Sequence, residues 1–323
     1  MIAVIGAAAV DVVARRQRFL AGTSNPSAIR WTPGGVGYRI WRRLPAPCLL
    51  LSAVGDDPAG RWLEQRIREQ AGSRRAQGGR GARRAAGRPR TGPGPEARLL
   101  RLPRQATACY CALMESGRLL YGAADMAVIE RGLTWARLRE RLPPLGSADF
   151  LVLEANLAPE LAGALLHRFA GSTRVVFEGV SIDKLLRHEP GLRDLFLLSV
   201  NEEEARALRT RVAPRAHGDR WVAPFLRERR IAHLLVLLGR RGVRLHSLGA
   251  DGGPRSARFA PARLVRAGDS TGAGDRLVAA LLARLARSAS SGRRGTPGGP
   301  LRLERVLPAA MREVERALEE GAL

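Results

Sequence analysis

Ala267-Gly268-Asp269-Ser270-Thr271-Gly272-Ala273-Gly274-Asp275 runs without a break into Arg276-Leu277-Val278-Ala279-Ala280-Leu281-Leu282-Ala283-Arg284-Leu285. The second half, rich in Ala, Leu and Arg, predicts a helix, and the glycines before it predict a tight turn at its start. Glycine lets backbone N–H groups converge with no Cβ in the way. The free N–H groups and positive dipole end of a helix then favour an anion such as phosphate. Asp275 breaks that pattern, because a carboxylate in a phosphate nest repels its ligand. It fits there as a helix-capping acid or as a base acting on a group beside the phosphate. Gly-rich caps followed by Asp are common, so the turn alone leaves both readings open.

Upstream of this turn, apolar strand-like runs alternate with helical ones. Phe150–Glu154, Val175–Glu178, Leu195–Val200 and His233–Leu238 read as strands, with a helical run at Glu160–Phe169 between the first two. Such alternation predicts an α/β chain with a parallel sheet flanked by helices. Ile2-Ala3-Val4-Ile5-Gly6 predicts a central strand whose far end delivers Asp11 to the edge where open α/β sheets bind ligands. An Asp that starts a turn explains Asp11 equally well. Leu49 to Gly60 reads as strand, turn and helix start, with Trp62–Gln70 continuing the helix. Gln105–Met114 and Leu119–Gly122 form a hairpin pattern around Glu115-Ser116-Gly117-Arg118. Asn201 is followed by Glu202, Glu203 and Glu204, an acidic first helical turn that the helix dipole stabilises.

The chain of 323 residues carries 54 Lys+Arg against 30 Asp+Glu, a formal charge of +24, and Lys184 is its single lysine. An Arg, Ala, Gly and Pro bias of this kind reads as GC-rich coding, and a basic protein binds polyanions nonspecifically in any case. Cys48, Cys109 and Cys111 form no CxxC pair, and the five histidines lack metal-ligand spacing, which argues for a reduced intracellular protein without a zinc site. The apolar start Met1–Val10 lacks a basic leader and is interrupted by Asp11, so a buried strand describes it better than a signal peptide, and no stretch is long enough to span a bilayer. Residues 71–100 are rich in Arg, Gly, Ala and Pro and predict a disordered loop, with an RNA-binding arm as the sharper alternative. Residues 288–300 predict a second flexible loop before a final helix, Arg302–Glu320.

Asp269 to Leu282 resembles the C-terminal signature of the pfkB (ribokinase-like) family of sugar and nucleoside kinases. Val54-Gly55-Asp56-Asp57 followed by Gly60 matches a scaffold segment of that family. Ser24-Asn25-Pro26, Pro33-Gly34-Gly35-Val36-Gly37, Thr107, Tyr110, Asp125-Met126 and the Glu178/Ser181/Lys184 spacing look most like its pseudouridine kinase branch. The resemblance covers nearly the whole chain except 71–100 and 288–300. It implies a single domain over 1–323: a three-layer α/β/α fold with a mostly parallel central sheet and a small β lid from segments near 12–33 and 104–126.

The activity the resemblance implies is ATP-dependent phosphorylation of the 5′-hydroxyl of a ribosyl nucleoside, pseudouridine above others, in the cytoplasm. Asp275 would be the base, and Gly272, Ala273 and Gly274 the anion hole. Asp11, Asn25, Gly34, Gly35, Arg39 and Thr107 would line the sugar site, although a covered sheet edge accounts for the Thr107 strand nearly as well. Asn201, Gly239, Gly242, Gly272 and Gly274 would face ATP. Asn201 and Glu204 would organise Mg²⁺ through water, and Asp269 and Thr271 would serve a monovalent cation such as K⁺. The implied partners are the small substrate and a second copy joined through the lid, with no membrane and only nonspecific nucleic-acid contact. Three positions depart from the family pattern. Arg39 stands where an Asn that contacts the sugar is expected, Trp41 where a small residue is expected, and Leu237 where a Thr precedes the nucleotide turn. These departures motivate a rival reading: a catalytically impaired relative that binds a nucleoside or a partner.

Overall fold

Ile2, Ala3, Val4 and Ile5 carry no polar side chain, and in the computed structural model all four are buried as the first strand, β1 (Ile2–Ile5). The structure describes residues 1–86, 94–139, 142, 145–249, 252–263, 272–291 and 302–320. After β1 come β2 (Ala9–Arg16), β3 (Ala28–Gly34), α1 (Val36–Trp41), β4 (Cys48–Gly55), α2 (Pro58–Ala86), β5 (Glu96–Leu102), β6 (Cys109–Glu115) and β7 (Arg118–Asp125). The chain continues through α3 (Ala127–Glu130), α4 (Trp135–Leu138), β8 (Phe150–Glu154), α5 (Pro159–Phe169), β9 (Arg174–Glu178), α6 (Ile182–His188) and β10 (Leu197–Asn201). It closes with α7 (Glu202–Val212), α8 (Val222–Arg229), β11 (His233–Leu237), β12 (Val243–Leu248), β13 (Pro254–Phe259), α9 (Ala273–Ser291) and α10 (Leu303–Glu319).

Among the described residues the main sheet has the order β13-β12-β11-β10-β9-β8-β1-β4-β5. It is parallel from β11 to β5, with β12 and β13 added antiparallel at one edge. Strand side chains alternate between faces, and here both faces are dry. Ala3, Ile5, Leu51, Leu153, Phe177 and Val200 face one core together with α5 and α8. Ile2, Val4, Leu50, Val152 and Val176 face the other, against α1, α9 and α10. Burial on both sides explains why these strands read as continuous apolar runs. The parallel register also brings Glu154, Glu178, Asn201 and Leu237, each the last residue of its strand, to one edge of the sheet.

A second, four-stranded sheet, β3-β2-β6-β7, stands beside that edge. It is mixed, since β2 pairs with β6 in parallel and with β3 antiparallel. It is built from the two segments expected to form the lid.

One segment differs from its sequence-based expectation. Where a loop is expected over 71–100, α2 extends to Ala86 and β5 begins at Glu96. The physical reason is that Arg, Ala and Gln are good helix formers, and the helix is anchored from its start by buried Leu63 and Ile67. Farther along, Arg74 lies 5.1 Å over the Trp41 ring and donates to the Trp41 and Leu44 carbonyls. Residues 87–93 lie outside the described residues. α9 likewise continues to Ser291 into the expected 288–300 loop, whose remainder, 292–300, lies outside the described residues.

Candidate active site

Three glycines decide how the segment after β3 meets the loop after β1. A Cβ on Gly34 would lie 2.0 to 2.2 Å from the three carboxylate atoms of Asp11. Gly35 has φ +87°, a conformation open to glycine, and a Cβ there would lie 2.5 Å from the Ala7 carbonyl oxygen. On Gly37 a Cβ would meet the Gly6 backbone at 2.8 Å. Without those Cβ atoms α1 packs directly on the loop, and the Tyr38 N–H donates to the Ala7 carbonyl at 3.0 Å. Docked this way, α1 carries Arg39 to Asp11, whose Oδ2 accepts a hydrogen bond from Arg39 Nη2. Asp11 is the third residue of β2, 4% exposed, and burial raises its pKa against the lowering effect of Arg39.

The opposite wall is the start of α9. The Arg276 N–H donates to the Gly272 carbonyl at 3.0 Å, which makes Gly272, with φ +83°, the residue that caps the helix. Glycine has no side chain to satisfy the first helical N–H groups, so those of Ala273, Gly274 and Asp275 have no intrahelical partner. A Cβ on Gly274 would lie 2.8 Å from Leu237 Cδ1, so the turn abuts the end of β11. Beyond Leu237, Gly239 and Gly242 adopt φ +58° and +85°, and a Cβ on Gly242 would lie 2.0 Å from the Phe259 carbonyl oxygen.

Asp275 itself is 12% exposed, with its Oδ2 3.8 Å from Arg39 Nη1. Burial pushes its pKa up to about 6; the Arg39 and Arg43 charges pull it down, and Asp11 pushes it further up. Arg43 is crowded by other cations. Its pKa falls to about 10 through burial and the neighbouring Arg42 and Arg276 charges.

Asn201 and Glu204 close a capping box at the start of α7. Glu204 N–H donates to Asn201 Oδ1 at 2.8 Å, while Glu204 accepts from the Asn201 N–H at 2.9 Å and from Nδ2 at 2.7 Å. Each Glu204 oxygen thus has a partner and a lone pair to spare. Those free lone pairs are acceptors that suit the water shell of a hydrated hard cation.

The structure therefore brings together Asp11, Gly34, Gly35, Arg39, Gly272, Ala273, Gly274 and Asp275, with Leu237 joining them to Gly239. Two expected sugar-site residues, Asn25 and Thr107, hydrogen-bond to neighbouring segments in this structure. Asn25 is spent on its own turn, where its side chain bonds the Leu20 N–H, the Leu20 carbonyl and the Thr23 carbonyl. Thr107 is 6% exposed; its hydroxyl donates to Asp57 Oδ1 at 2.6 Å and accepts from the Gly55 N–H at 3.0 Å, which makes it a strut between segments. Asp269 and Thr271 lie outside the described residues.

Sequence reasoning gave Glu154 and Glu178 no part in the site. Glu154 is fully buried, accepts from the Ala7 N–H at 2.6 Å and from Asn156, and so shapes the loop on which α1 docks. Lys184 donates to Asn156 Oδ1 and pairs with Glu130 at 3.1 Å. Glu178 is buried with no hydrogen bond to its Oε1 among the described residues, and its pKa stands well above the usual range because of burial and then the Asp275 charge. The available signal was positional: an acid closing a buried parallel strand at the ligand edge.

A doubly covered parallel sheet, with an enclosed acid in the first turn of a helix at the ligand edge, is an arrangement suited to phosphoryl transfer. The profile of the pfkB family of carbohydrate kinases matches residues 126–296, more than half of the chain, and the chain belongs to that family. It is 25% identical over 285 residues to the pseudouridine kinase of Escherichia coli K12, covering 87% of this chain and 82% of that one. Among solved structures, the ribokinase of Giardia lamblia superposes with a TM-score of 0.70 at 18% identity, covering 99% of both chains. The Arabidopsis thaliana ribokinase, solved with ribose and ATP, superposes with a TM-score of 0.65 at 16% identity over 98% of this chain and 92% of that one. The fold is accordingly ribokinase-like.

Proposed function

We propose that the protein transfers the γ-phosphoryl group of ATP to the 5′-hydroxyl of a ribosyl nucleoside, with pseudouridine as the preferred acceptor and pseudouridine 5′-phosphate as product. The observation that carries this reading is the placement of Asp275, an enclosed acid in the first turn of α9 beside N–H groups without an intrahelical partner and across from Asp11. Asp275 takes the proton of the 5′-hydroxyl as that oxygen bonds to the γ-phosphorus and the bond to the ADP oxygen breaks. The N–H groups of residues 272–275 stabilise charge on the equatorial oxygens, so positioning and electrostatics do most of the work. Asp11, shaped by Gly34 and Gly35, holds ribose hydroxyls. Gly239 and Gly242 border the nucleotide. Asn201 and Glu204 would hold magnesium through water, which supplies charge neutralisation on the triphosphate; Asp269 and Thr271 would serve a monovalent cation.

The choice of pseudouridine follows the 25% identical relative together with the Asn25 and Gly34-Gly35 segments. A radiolabelled ATP assay over a panel of nucleosides and sugars tests it. Turnover fastest with pseudouridine is expected; fastest turnover with another acceptor reassigns the substrate. Arg39 favours the rival of an impaired relative, and nucleoside or ATP binding without turnover of any acceptor establishes that rival.

We place the enzyme in the cytoplasm; no described helix is long and apolar enough to cross a membrane. Contact with nucleic acid is nonspecific in this reading. The second sheet is proposed as a dimer surface, because Ile29, Trp31, Leu119 and Tyr121 are 61, 58, 55 and 69% exposed on its edge strands. Sedimentation velocity should show a dimer that Trp31→Ser with Tyr121→Ser converts to monomer. A wild-type monomer at micromolar concentration, with nucleoside present, removes the lid from consideration.

A further inference from the structure

Arg39 stands between Asp11 and Asp275. Its backbone is fixed, since its N–H donates to the Gly35 carbonyl at 2.9 Å and its neighbours Tyr38 and Trp41 are buried. The side chain is enclosed as well, 21% exposed, with one nitrogen on Asp11 and another 3.8 Å from Asp275. Its Cδ and Nη1 also lie 3.7 and 3.8 Å from the position a Cβ on Gly272 would take. One planar cation therefore touches the acid assigned to sugar hydroxyls, the assigned base and the phosphate turn. An acceptor that hydrogen-bonds Asp11 while presenting a hydroxyl to Asp275 needs the same space.

We propose that Arg39 limits acceptor affinity: it is an ion-pair latch that fills the sugar's place, so that a neutral sugar or nucleoside binds only by displacing the guanidinium from Asp11. The inference rests on the kinase reading of Asp11 and Asp275. A neutral acceptor offers Asp11 uncharged hydroxyl donors in exchange for a charge-assisted bond, an exchange that costs affinity.

The test compares the full chain with Arg39→Asn and Arg39→Lys by calorimetric titration with pseudouridine, uridine and ribose, and by steady-state kinetics. Arg39→Asn is expected to tighten the acceptor Kd and lower the acceptor KM by about ten- to a hundredfold, the scale of one charged hydrogen bond. Its KM for ATP stays within about twofold, because the latch acts on acceptor binding. Arg39→Lys keeps the charge and stays close to wild type. The acid limb of kcat also moves to higher pH in Arg39→Asn, because Asp275 loses one cation while Arg43 beyond α1, Asp11 on β2 and Glu178 on β9 still face it. A purely structural role would leave that limb in place. An acceptor Kd that is unchanged or weaker in Arg39→Asn, including no binding of any of the three, overturns the latch. Tighter binding without turnover in either protein keeps the latch and overturns the phosphorylation reading; turnover with an unchanged Kd does the reverse. If Arg39→Asn does not fold by circular dichroism, Arg39→Gln carries the same expectations.

Discussion

Asp275→Asn is expected to lower kcat by roughly a thousandfold while nucleoside and ATP still bind, the scale of loss for a general base. The substitution keeps the shape of the side chain and the start of α9 and removes only the ability to take a proton. The pH dependence should report the same group. With a pKa raised to about 6, Asp275 is protonated and inactive below that pH and becomes a competent base above it, so kcat should climb with pH through about 6 and then level. Stability runs in the opposite direction. A carboxyl whose folded pKa lies above its unfolded value of 3.8 contributes most below that value, and the contribution is lost as pH rises through about 6. At pH 8 the native protein therefore carries a disfavoured buried charge, and Asp275→Asn should not lower Tm. Loss of activity with Tm unchanged or raised shows that the lost charge served function and not stability. A residual kcat within about tenfold of wild type would sink the general-base role.

Much of this arrangement was legible in the sequence, for identifiable reasons. Strands buried on both faces must be apolar throughout, so β1, β8, β9, β10 and β11 stand out as runs and their order implies a parallel sheet. The Gly272-Ala273-Gly274-Asp275 turn is local chemistry: its residues predict a glycine turn at a helix start, and the family resemblance supplies its role. What the sequence did not show shares a different cause. Asn25 and Thr107 lie in the expected segments, yet their hydrogen bonds close on Leu20 and Thr23 in one case and on Gly55 and Asp57 in the other. Residue type shows that a side chain can bind, and only the fold shows what it binds. The part of α2 over 71–86 was obscured because its glycines and arginines suppress the apolar period, while the anchors of α2, Leu63, Ile67 and Arg74, all lie before residue 75. The Arg39–Asp11 pair depends on the docking of α1 on the loop after β1. No stretch of sequence contains both partners, so its signal was limited to an unexpected residue at position 39.

That docking makes Gly34 the most sensitive glycine for function. Gly34→Ala is expected to raise the acceptor KM by about a hundredfold and to cost about 1–3 kcal/mol of stability, the range for overpacking a close-packed site. The added Cβ falls 2.0 to 2.2 Å from the Asp11 carboxylate, well inside any real contact. Asp11 cannot yield through its backbone, because β2 is paired on both sides, opposite Thr32 and opposite Tyr110. The carboxylate must rotate away instead, leaving Arg39 without its partner and the sugar site without its acid. Gly171→Ala is a control, since a Cβ there meets nothing. The decisive measurement is a double-mutant cycle read by denaturant unfolding. With Asp11→Ala in the background, the atoms that collide with the new methyl are gone, so the stability cost of Gly34→Ala should disappear. A cost that persists undiminished would place the constraint in the backbone of β3 and remove Asp11 as the reason for a glycine at position 34.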